Sequence, residues 1–390
     1  MMFQLPVYLD NNATTACDPR VVEAMLPYFT KHFGNAASKS HIFGWEAEEA
    51  VELAREQIAG LIGAEPKEIV FTSGATESDN LALKGVFESY ASKGNHIITV
   101  CTEHKAVMDP CHHLEKKGAL ITYLPVARDG LISLEELESA ITSKTILIAV
   151  MYANNEIGVI QPVKQISEIA RKHGVLFFCD ATQAVGKIPV DVNNDGIDLM
   201  ALSAHKMYGP KGIGALYVRR KNPRVKIVAQ IDGGGHERGM RSGTLNVPAI
   251  VGFGKACELC IQEMINDNRK IAALRNKLEK EITKKGEIFV NGSREHRLPN
   301  ITNLSFAHVE GNQLLISLTK NIAVSSGSAC TSALTEPSYV LKALGASDEL
   351  AYSSIRFGIG RFNTEEEINY VIDQVHKTLN ELRNKTMEPK

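Results

Sequence analysis

Along residues 46 to about 220, short apolar runs alternate with stretches whose apolar positions recur at helical spacing. The helical stretches are Glu46–Ile62, Ser78–Lys93 and Pro162–His173. The strand-like runs, rich in β-branched and aromatic residues, are Glu68–Thr72, His96–Cys101, Thr145–Met151, Val175–Cys179, Asp198–Leu202 and Gly214–Val218. Strands alternating with helices predict an α/β fold with a mostly parallel sheet covered on both faces. From about residue 255 the texture changes. A long charged amphipathic helix, Cys257 to Lys285, leads into runs at Glu287–Val290, Asn303–Phe306, Ala323–Ser325 and Ser354–Gly358, interspersed with helices. That pattern predicts a smaller α+β domain, closed by a helix from Thr364 to about Arg383 and a fraying polar tail.

The 390 residues suffice for one large domain and a smaller one, with a sizeable buried core. With 44% hydrophobic and 23% charged residues, the balance is that of an ordinary soluble globular protein. A net charge of −2 supplies no global field to recruit nucleic acid or an acidic membrane. The local exception is the basic run Arg219-Arg220-Lys221-Asn222-Pro223-Arg224-Val225-Lys226, read either as a solvated surface turn or as a docking patch for an acidic partner. No apolar stretch reaches membrane-spanning length. Met1 to Arg20 has no basic leader and carries Asp10 and Asp18, so neither a signal nor a transit peptide is expected. Seven cysteines, an odd number, without a secretion signal predict a reducing cytoplasm.

The chemistry gathers at the carboxyl ends of the strand-like runs, where open α/β sheets hold their ligands. Lys206, in Ser-Ala-His-Lys-Met-Tyr-Gly-Pro-Lys-Gly just after one such run, is placed to form an imine, and pyridoxal phosphate (PLP) is the commonest carbonyl partner in that setting. Ser73-Gly74-Ala75-Thr76-Glu77-Ser78 opens a helix after a strand, which makes either a phosphate cradle of free backbone N–H groups or a simple capping box. His104 follows the next run; it is either a structural histidine or a ring that stacks on a flat cofactor and shuttles protons. Asn154-Asn155 either makes a turn or orients a ring substituent or the substrate. Asp180 closes Val175–Cys179, where a carboxylate needs a partner and can hold a pyridine nitrogen protonated. Gln183 is then placed to donate to the ring's phenolic oxygen, and the following strand supplies Ser203, His205 and Lys206.

Taken together, Tyr8-Leu9-Asp10…Ala13-Thr14-Thr15, Thr72-Ser73-Gly74-Ala75-Thr76-Glu77-Ser78, Asp180-Ala181-Thr182-Gln183, Ser203-Ala204-His205-Lys206 and Ser325-Ser326-Gly327-Ser328-Ala329-Cys330 resemble the cysteine desulfurases of the IscS/NifS type. These are PLP enzymes related to the class V aminotransferases, with the aspartate-aminotransferase fold (fold type I), and the resemblance runs from about residue 5 to about residue 385. It implies an N-terminal segment, residues 1–15, joining the small domain; a large PLP-binding domain, 16–255; and a small C-terminal domain, 256–390. By the same resemblance Lys206 holds PLP and moves the substrate's α-proton, Asp180 partners the pyridinium, His104 stacks on the ring, and Gln183 and Asn155 contact the cofactor. Ala75, Thr76, Ser203 and His205 fall on phosphate-binding positions, and Thr244 on a phosphate contact given by the other subunit, which implies a homodimer. Arg356 receives the substrate carboxylate, for which a guanidinium fork is geometrically suited, with Asn155 beside it.

Cys330 lies in a stretch of small polar residues with little to bury, expected to be mobile, which argues against a buried structural cysteine. The resemblance makes it the thiolate that takes the substrate's sulfur as a persulfide while alanine leaves. Sulfur would then pass to an iron–sulfur scaffold protein of the IscU kind, or to another acceptor such as one serving tRNA thiolation. No intrinsic metal site is implied, although the Cys330 persulfide could meet a cluster carried by that scaffold. The chain stops at Lys390, short of a tail with which housekeeping relatives dock the scaffold, so the acceptor stays open, as does the choice between the housekeeping and nitrogen-fixation branches. Cys257-x-x-Cys260 has redox spacing but lies within a helical pattern, Cys111-His112-His113 diverges on a helix, and Cys101 and Cys179 are expected in the core. The rival activity is selenocysteine lyase; a plain aminotransferase leaves Cys330 without a role. A nucleotide-binding protein built on Gly209-Pro210-Lys211-Gly212-Ile213-Gly214 lacks the lysine–serine/threonine pair of a true phosphate loop.

Overall fold

A computed structural model describes residues 3–326 and 337–387. The chain opens with a short strand, β1 (Val7–Tyr8). A central sheet follows, made of β2 (Ile69–Thr72), β3 (His96–Val100), β4 (Leu120–Leu124), β5 (Thr145–Ala149), β6 (Leu176–Asp180), β7 (Leu199–Ser203) and β8 (Gly214–Val218). Its strand order is β2-β8-β7-β6-β5-β3-β4. Only β8 runs against its neighbours, antiparallel to both β2 and β7. The carboxyl ends of β2, β3, β5, β6 and β7 therefore emerge along one edge.

The apolar runs become strands because consecutive side chains are buried on opposite faces. Phe177 and Phe178 are adjacent and fully buried, yet they belong to separate core clusters, one on each side of the sheet. Ile97 with Ile98 and Leu147 with Ile148 divide in the same way. The helices Ile42–Ile62 and Val163–Lys172 supply one layer, and Ala75–Ser89 and Lys105–Glu115 the other. This is the expected α/β architecture with a mostly parallel sheet.

Beyond the sheet, β9 (Ile288–Val290), β10 (Ile301–Phe306) and β12 (Ser354–Gly358) form an antiparallel sheet with β10 central, while β11 (Ile322–Ala323) pairs in parallel with β1. Val7 and Leu9 pack with Leu304, Phe306 and Phe357 in a separate core cluster that the helix Glu365–Met387 covers with Ile368, Val371 and Val375.

Several expectations need correction. The long helix begins at Val247, capped by Asn246, whose side chain accepts from Ala249 N, and it runs unbroken to Thr283. The expected boundary at 255/256 thus falls inside one helix, whose early residues Ile250, Phe253 and Cys257 join the first core and whose later residues Leu274, Leu278 and Ile282 join the second. Gly252 and Gly254 disguised its start, but Gly254 is needed there: a Cβ would lie 2.7 Å from Ala54 Cα on the helix Ile42–Ile62. Pro248 occupies a first-turn position, where proline is tolerated. Edge strand β4 and the helix Leu134–Ala140 are not marked by the sequence pattern, since half-exposed or short elements carry weak periodicity, whereas Cys111-His112-His113 lies on a helix as expected, Lys105–Glu115. In the basic run, Arg219 is no surface residue: it is buried, donates to Val192 O and Ile197 O, and faces Asp198 at 3.3 Å. Cys179 is fully buried, whereas Cys101, one residue past β3, is half-buried. Among the described residues no helix is long and apolar enough to cross a membrane.

Candidate active site

The sheet's carboxyl edge collects the anticipated side chains. β7 ends at Ser203 and tightens into a single turn, Ala204–Lys206, which brings the Lys206 amine against the N-terminal segment. There Nζ donates to Asn12 O and Ala13 O, both at 2.6 Å. β6 ends in Asp180, whose Oδ1 accepts from Thr182 N at 2.9 Å. Its Oδ2 has no hydrogen-bond partner among the described residues, so one carboxylate oxygen of a buried side chain is left for a further donor. Gln183, one turn further on, donates from Nε2 to Asn12 O at 2.9 Å. The amine of Lys206 and the amide of Gln183 thus meet at one carbonyl.

β2 ends at Thr72, and the helix Ala75–Ser89 starts behind Gly74 with no side chain capping its first turn. Glu77 is turned away, accepting from Ser73 N at 2.7 Å and pairing with Arg241 at 2.7 Å. The amides at Ala75 and Thr76 are consequently left for an anion, which the helix dipole also favours. A Cβ at Gly74 would sit 3.9 Å from Ser203 Oγ, so the β7 hydroxyl flanks the same cradle. His205 lies beside it, with Nδ1 3.1 Å from Thr14 Oγ1. Burial, then Lys206, Lys211 and Lys187, push the His205 pKa down to about 4, leaving a neutral ring at physiological pH.

His104 caps the helix Lys105–Glu115, its Nδ1 accepting from Ala106 N at 3.1 Å, which places the proton of the neutral ring on Nε2. The ring is exposed towards a cleft of ≈ 400 Å³ shared with Thr76, but the surrounding walls still strip it of water. That desolvation, with Lys206 adding to it, lowers its pKa against the opposing pull of Asp180. Asp79 and Glu103 lie deeper. Burial, then Asp180 and Glu103, push Asp79 well above the usual carboxylate range, and burial chiefly does the same for Glu103.

Arg356, in the middle of β12, reaches the site from the smaller sheet. Its Nη2 donates to Asp10 Oδ1 at 2.8 Å and its Nη1 to Asn155 O at 3.0 Å, while Nε is buried without a partner among the described residues. Asn155 Oδ1 is likewise buried and, among the described residues, unpartnered. Arg356 N donates to Ser325 O, and Ser325 Oγ to Asp10 Oδ2 at 2.9 Å, so the approach to the Cys330 segment is tied to the arginine. Cys330 itself lies outside the described residues. Thr244 is exposed, and no hydrogen bond joins it to the site residues of its own chain.

Sequence reasoning missed Asn12, Lys187 and Asp79. Asn12 works mostly through its backbone oxygen, which no side-chain pattern reveals. Lys187 Nζ donates to Gln183 Oε1 at 2.7 Å, and a lysine in a Gly-Lys turn looks like a surface charge until its burial is seen.

The anion cradle, the amine, the carboxylate oxygen lacking a donor and the orphaned amide oxygen of Asn155 fit the phosphate, aldehyde carbon, ring nitrogen and ring substituents of PLP. The fold and site define a PLP-dependent enzyme of fold type I. A model of the class-V aminotransferases matches residues 7–371. Cysteine desulfurase IscS of Anaeromyxobacter sp. (strain K) is 58% identical over 97% of this chain and 94% of that protein. Among solved structures, a NifS-like protein superposes with a TM-score of 0.91 at 39% identity, covering 97% of this chain and 100% of the other. SspA in complex with cysteine gives a TM-score of 0.81 at 37% identity, covering 92% and 100%. The chain belongs to the class-V aminotransferase family, within its cysteine desulfurases of the IscS/NifS type.

Proposed function

We propose that the protein is a cysteine desulfurase that converts L-cysteine to L-alanine and passes the sulfur to Cys330 as a persulfide. The observation that carries this reading is the meeting of Lys206 Nζ and Gln183 Nε2 at Asn12 O, beside a buried aspartate with an unused oxygen. When bound, PLP supplies an electron sink that weakens the bonds around the substrate's Cα and its Cβ–S bond. Lys206 holds the cofactor covalently and, once released, its Nζ takes the proton from the substrate's Cα. Asp180 would hold the ring nitrogen's proton with the oxygen that Thr182 leaves unused. Arg356 fixes the substrate carboxylate with the donors left over from Asp10 and Asn155. The neutral His104 ring, its proton on Nε2, would lie against the bound cofactor and would give or take a proton at the substrate.

The sulfur step balances without an added oxidant. Cys330 sulfur bonds to the substrate sulfur as the Cβ–S bond breaks, that electron pair stays with carbon and is protonated, and the products are alanine and a Cys330 persulfide. The persulfide then serves an acceptor protein, in our reading a scaffold for iron–sulfur assembly of the IscU kind, in the cytoplasm.

The working unit is a homodimer. Leu26, Phe29, Phe33, Ile42, Phe43 and Trp45 are all exposed within one short stretch, and Phe33 is 64% exposed. An apolar surface of this density calls for a partner, and the exposed Thr244 is free to enter a neighbour's phosphate site. In domain terms, the residues before the helix Val247–Thr283, with its first half, carry the cofactor, and its second half with the residues beyond carries Arg356 and Cys330.

Intact mass after adding L-cysteine tests the function. The expected result is a gain of one sulfur atom, removed by reductant and mapped to Cys330, with Cys330→Ser keeping the bound-cofactor colour but releasing no alanine. Full turnover by Cys330→Ser would overturn the role, and faster turnover on selenocysteine than on cysteine would turn the reading to a selenocysteine lyase.

A further inference from the structure

Resting on the cofactor assignment above, we propose that Lys187 is a positioning residue that locks the Gln183 amide with its nitrogen towards the cofactor's ring oxygen. Lys187 is only 7% exposed and follows Gln183 by four residues in a tight turn, where Ala184 O accepts from both Lys187 N and Ile188 N. Gly186 makes the inward turn possible: it has φ 78°, and a Cβ there would lie 2.8 Å from Met207 Cβ. The side chain ends on a single acceptor, Gln183 Oε1, at 2.7 Å.

A lysine buried only to stabilise the fold would pair with a carboxylate or give way to an apolar residue, because an ammonium is costly to desolvate. This one faces a neutral amide. The small cavity beside it, ≈ 10 Å³ and lined by Asp267, Asn268 and Asn300, holds no ligand-sized space. Its chemistry therefore points to Gln183.

An amide can be turned end for end, and its two neighbours forbid this here. An ammonium only donates, so it demands Oε1, while the carbonyl Asn12 O only accepts, so it demands Nε2 at 2.9 Å. Asn12 Nδ2 reinforces the choice by donating to Oε1 at 3.1 Å. Reversal would set oxygen against oxygen and N–H against ammonium. One N–H of Gln183 is spent on Asn12 O and the other stays available. Because Lys206 Nζ shares that carbonyl, the available N–H lies beside the amine that carries the cofactor. In PLP the ring oxygen and the aldehyde carbon occupy neighbouring ring positions, so this N–H serves the oxygen.

Burial, then the charges of Lys206 and Arg356, push the Lys187 pKa well down from the ordinary lysine value, with Cys260 opposing them. Asp267 faces it across the small cavity. Charged, the amine only donates; neutral, it still has N–H donors for Oε1, and the carbonyl Asn12 O, which only accepts, keeps Nε2 turned to it.

A donor on the ring oxygen competes with the proton of the Lys206–cofactor linkage for that oxygen. Losing the donor strengthens the protonated linkage and raises its apparent pKa. The test is an absorbance titration of the bound cofactor in holoenzyme, with no substrate present. Lys187→Met should move the midpoint up by about one pH unit, whereas Lys187→Gln, which keeps a donor, should restore most of the shift. In a Gln183→Ala background, Lys187→Met should add no further shift. An unchanged midpoint in Lys187→Met, or a full extra shift in the double variant, would overturn the proposal. Failure of the cofactor reading is distinct: no absorbance band would depend on Lys206. Should Lys187→Met not fold, a crystal structure of the wild-type holoenzyme decides, with Gln183 Nε2 on the ring oxygen expected and a reversed or withdrawn amide sinking the idea.

Discussion

Lys206 Nζ and Gln183 Nε2 donate to the same oxygen, the backbone carbonyl of Asn12, at 2.6 and 2.9 Å. The N-terminal segment therefore sets where the amine stands before any cofactor or substrate arrives. Replacing Lys206 with alanine removes both the covalent tether and the base for the α-proton. Turnover should fall by at least about 10²–10⁴-fold, the usual contribution of a positioned proton-transfer group. The bound-cofactor band should lose its lysine-dependent form while the fold, read by circular dichroism, persists. Residual turnover near wild type would show that another base does the work.

Asp180 offers a second test, since its two oxygens have separate tasks. Oδ1 accepts from Thr182 N at 2.9 Å, an acceptor role that an asparagine oxygen can fill. The charge facing the ring nitrogen has no such substitute. Asp180→Asn should leave stability nearly unchanged but lower kcat by about 10²–10³-fold, the range for losing one preorganised electrostatic contact. Denaturant unfolding and steady-state kinetics on the same preparation separate the two effects.

Glu156 predicts a pH dependence of stability. Its carboxyl is buried and accepts from Ser338 Oγ at 2.5 Å, and burial, opposed by that hydrogen bond and by Arg356, pushes its pKa up from 4.5 to about 7. The folded state therefore holds a proton that the unfolded state releases between pH 4.5 and about 7. With more protons bound in the folded form, this contribution is complete below pH 4.5 and is lost as pH rises through about 7. Glu156→Gln keeps an acceptor for Ser338 and removes the titration. The variant should match wild type near pH 4 and exceed it by on the order of 3 kcal/mol above pH 8. A wild-type-minus-variant difference that is flat with pH would contradict this.

Lys206, Asp180 and the cradle at Ala75–Thr76 were legible in the sequence because each sits where a buried apolar run stops, and strand ends in a parallel sheet must converge. Asn12 was not legible, because it acts mainly through a main-chain oxygen. Lys187 and Asp79 were hidden by burial: a charged residue in a turn or helix gives no sign of which way it faces until tertiary packing sets it. The long helix was found but started too late, since the pair Gly252 and Gly254 mimics a loop until Ala54 is seen pressed against it.

Arg356 carries the last prediction. Of its five N–H donors, one goes to Asp10 Oδ1 and one to Asn155 O, and Nε is buried with no partner among the described residues. A buried, unused guanidinium donor is costly, and the substrate carboxylate is the acceptor that relieves it. Lysine at this position would keep the charge and a contact to Asp10 but could not hold Asn155 O, Asp10 and a bidentate carboxylate together. Losing one charged hydrogen bond, worth about 1.5–3 kcal/mol, should raise KM for L-cysteine by about 10–100-fold in Arg356→Lys. The kcat at saturation should change far less, because Lys206, Asp180 and Gln183 contact each other's surroundings rather than Arg356. Because Asp10 also accepts from Ser325 Oγ at 2.9 Å, Asp10→Asn should reproduce part of the KM increase by loosening the arginine. An Arg356→Lys enzyme with wild-type KM would place the substrate carboxylate elsewhere.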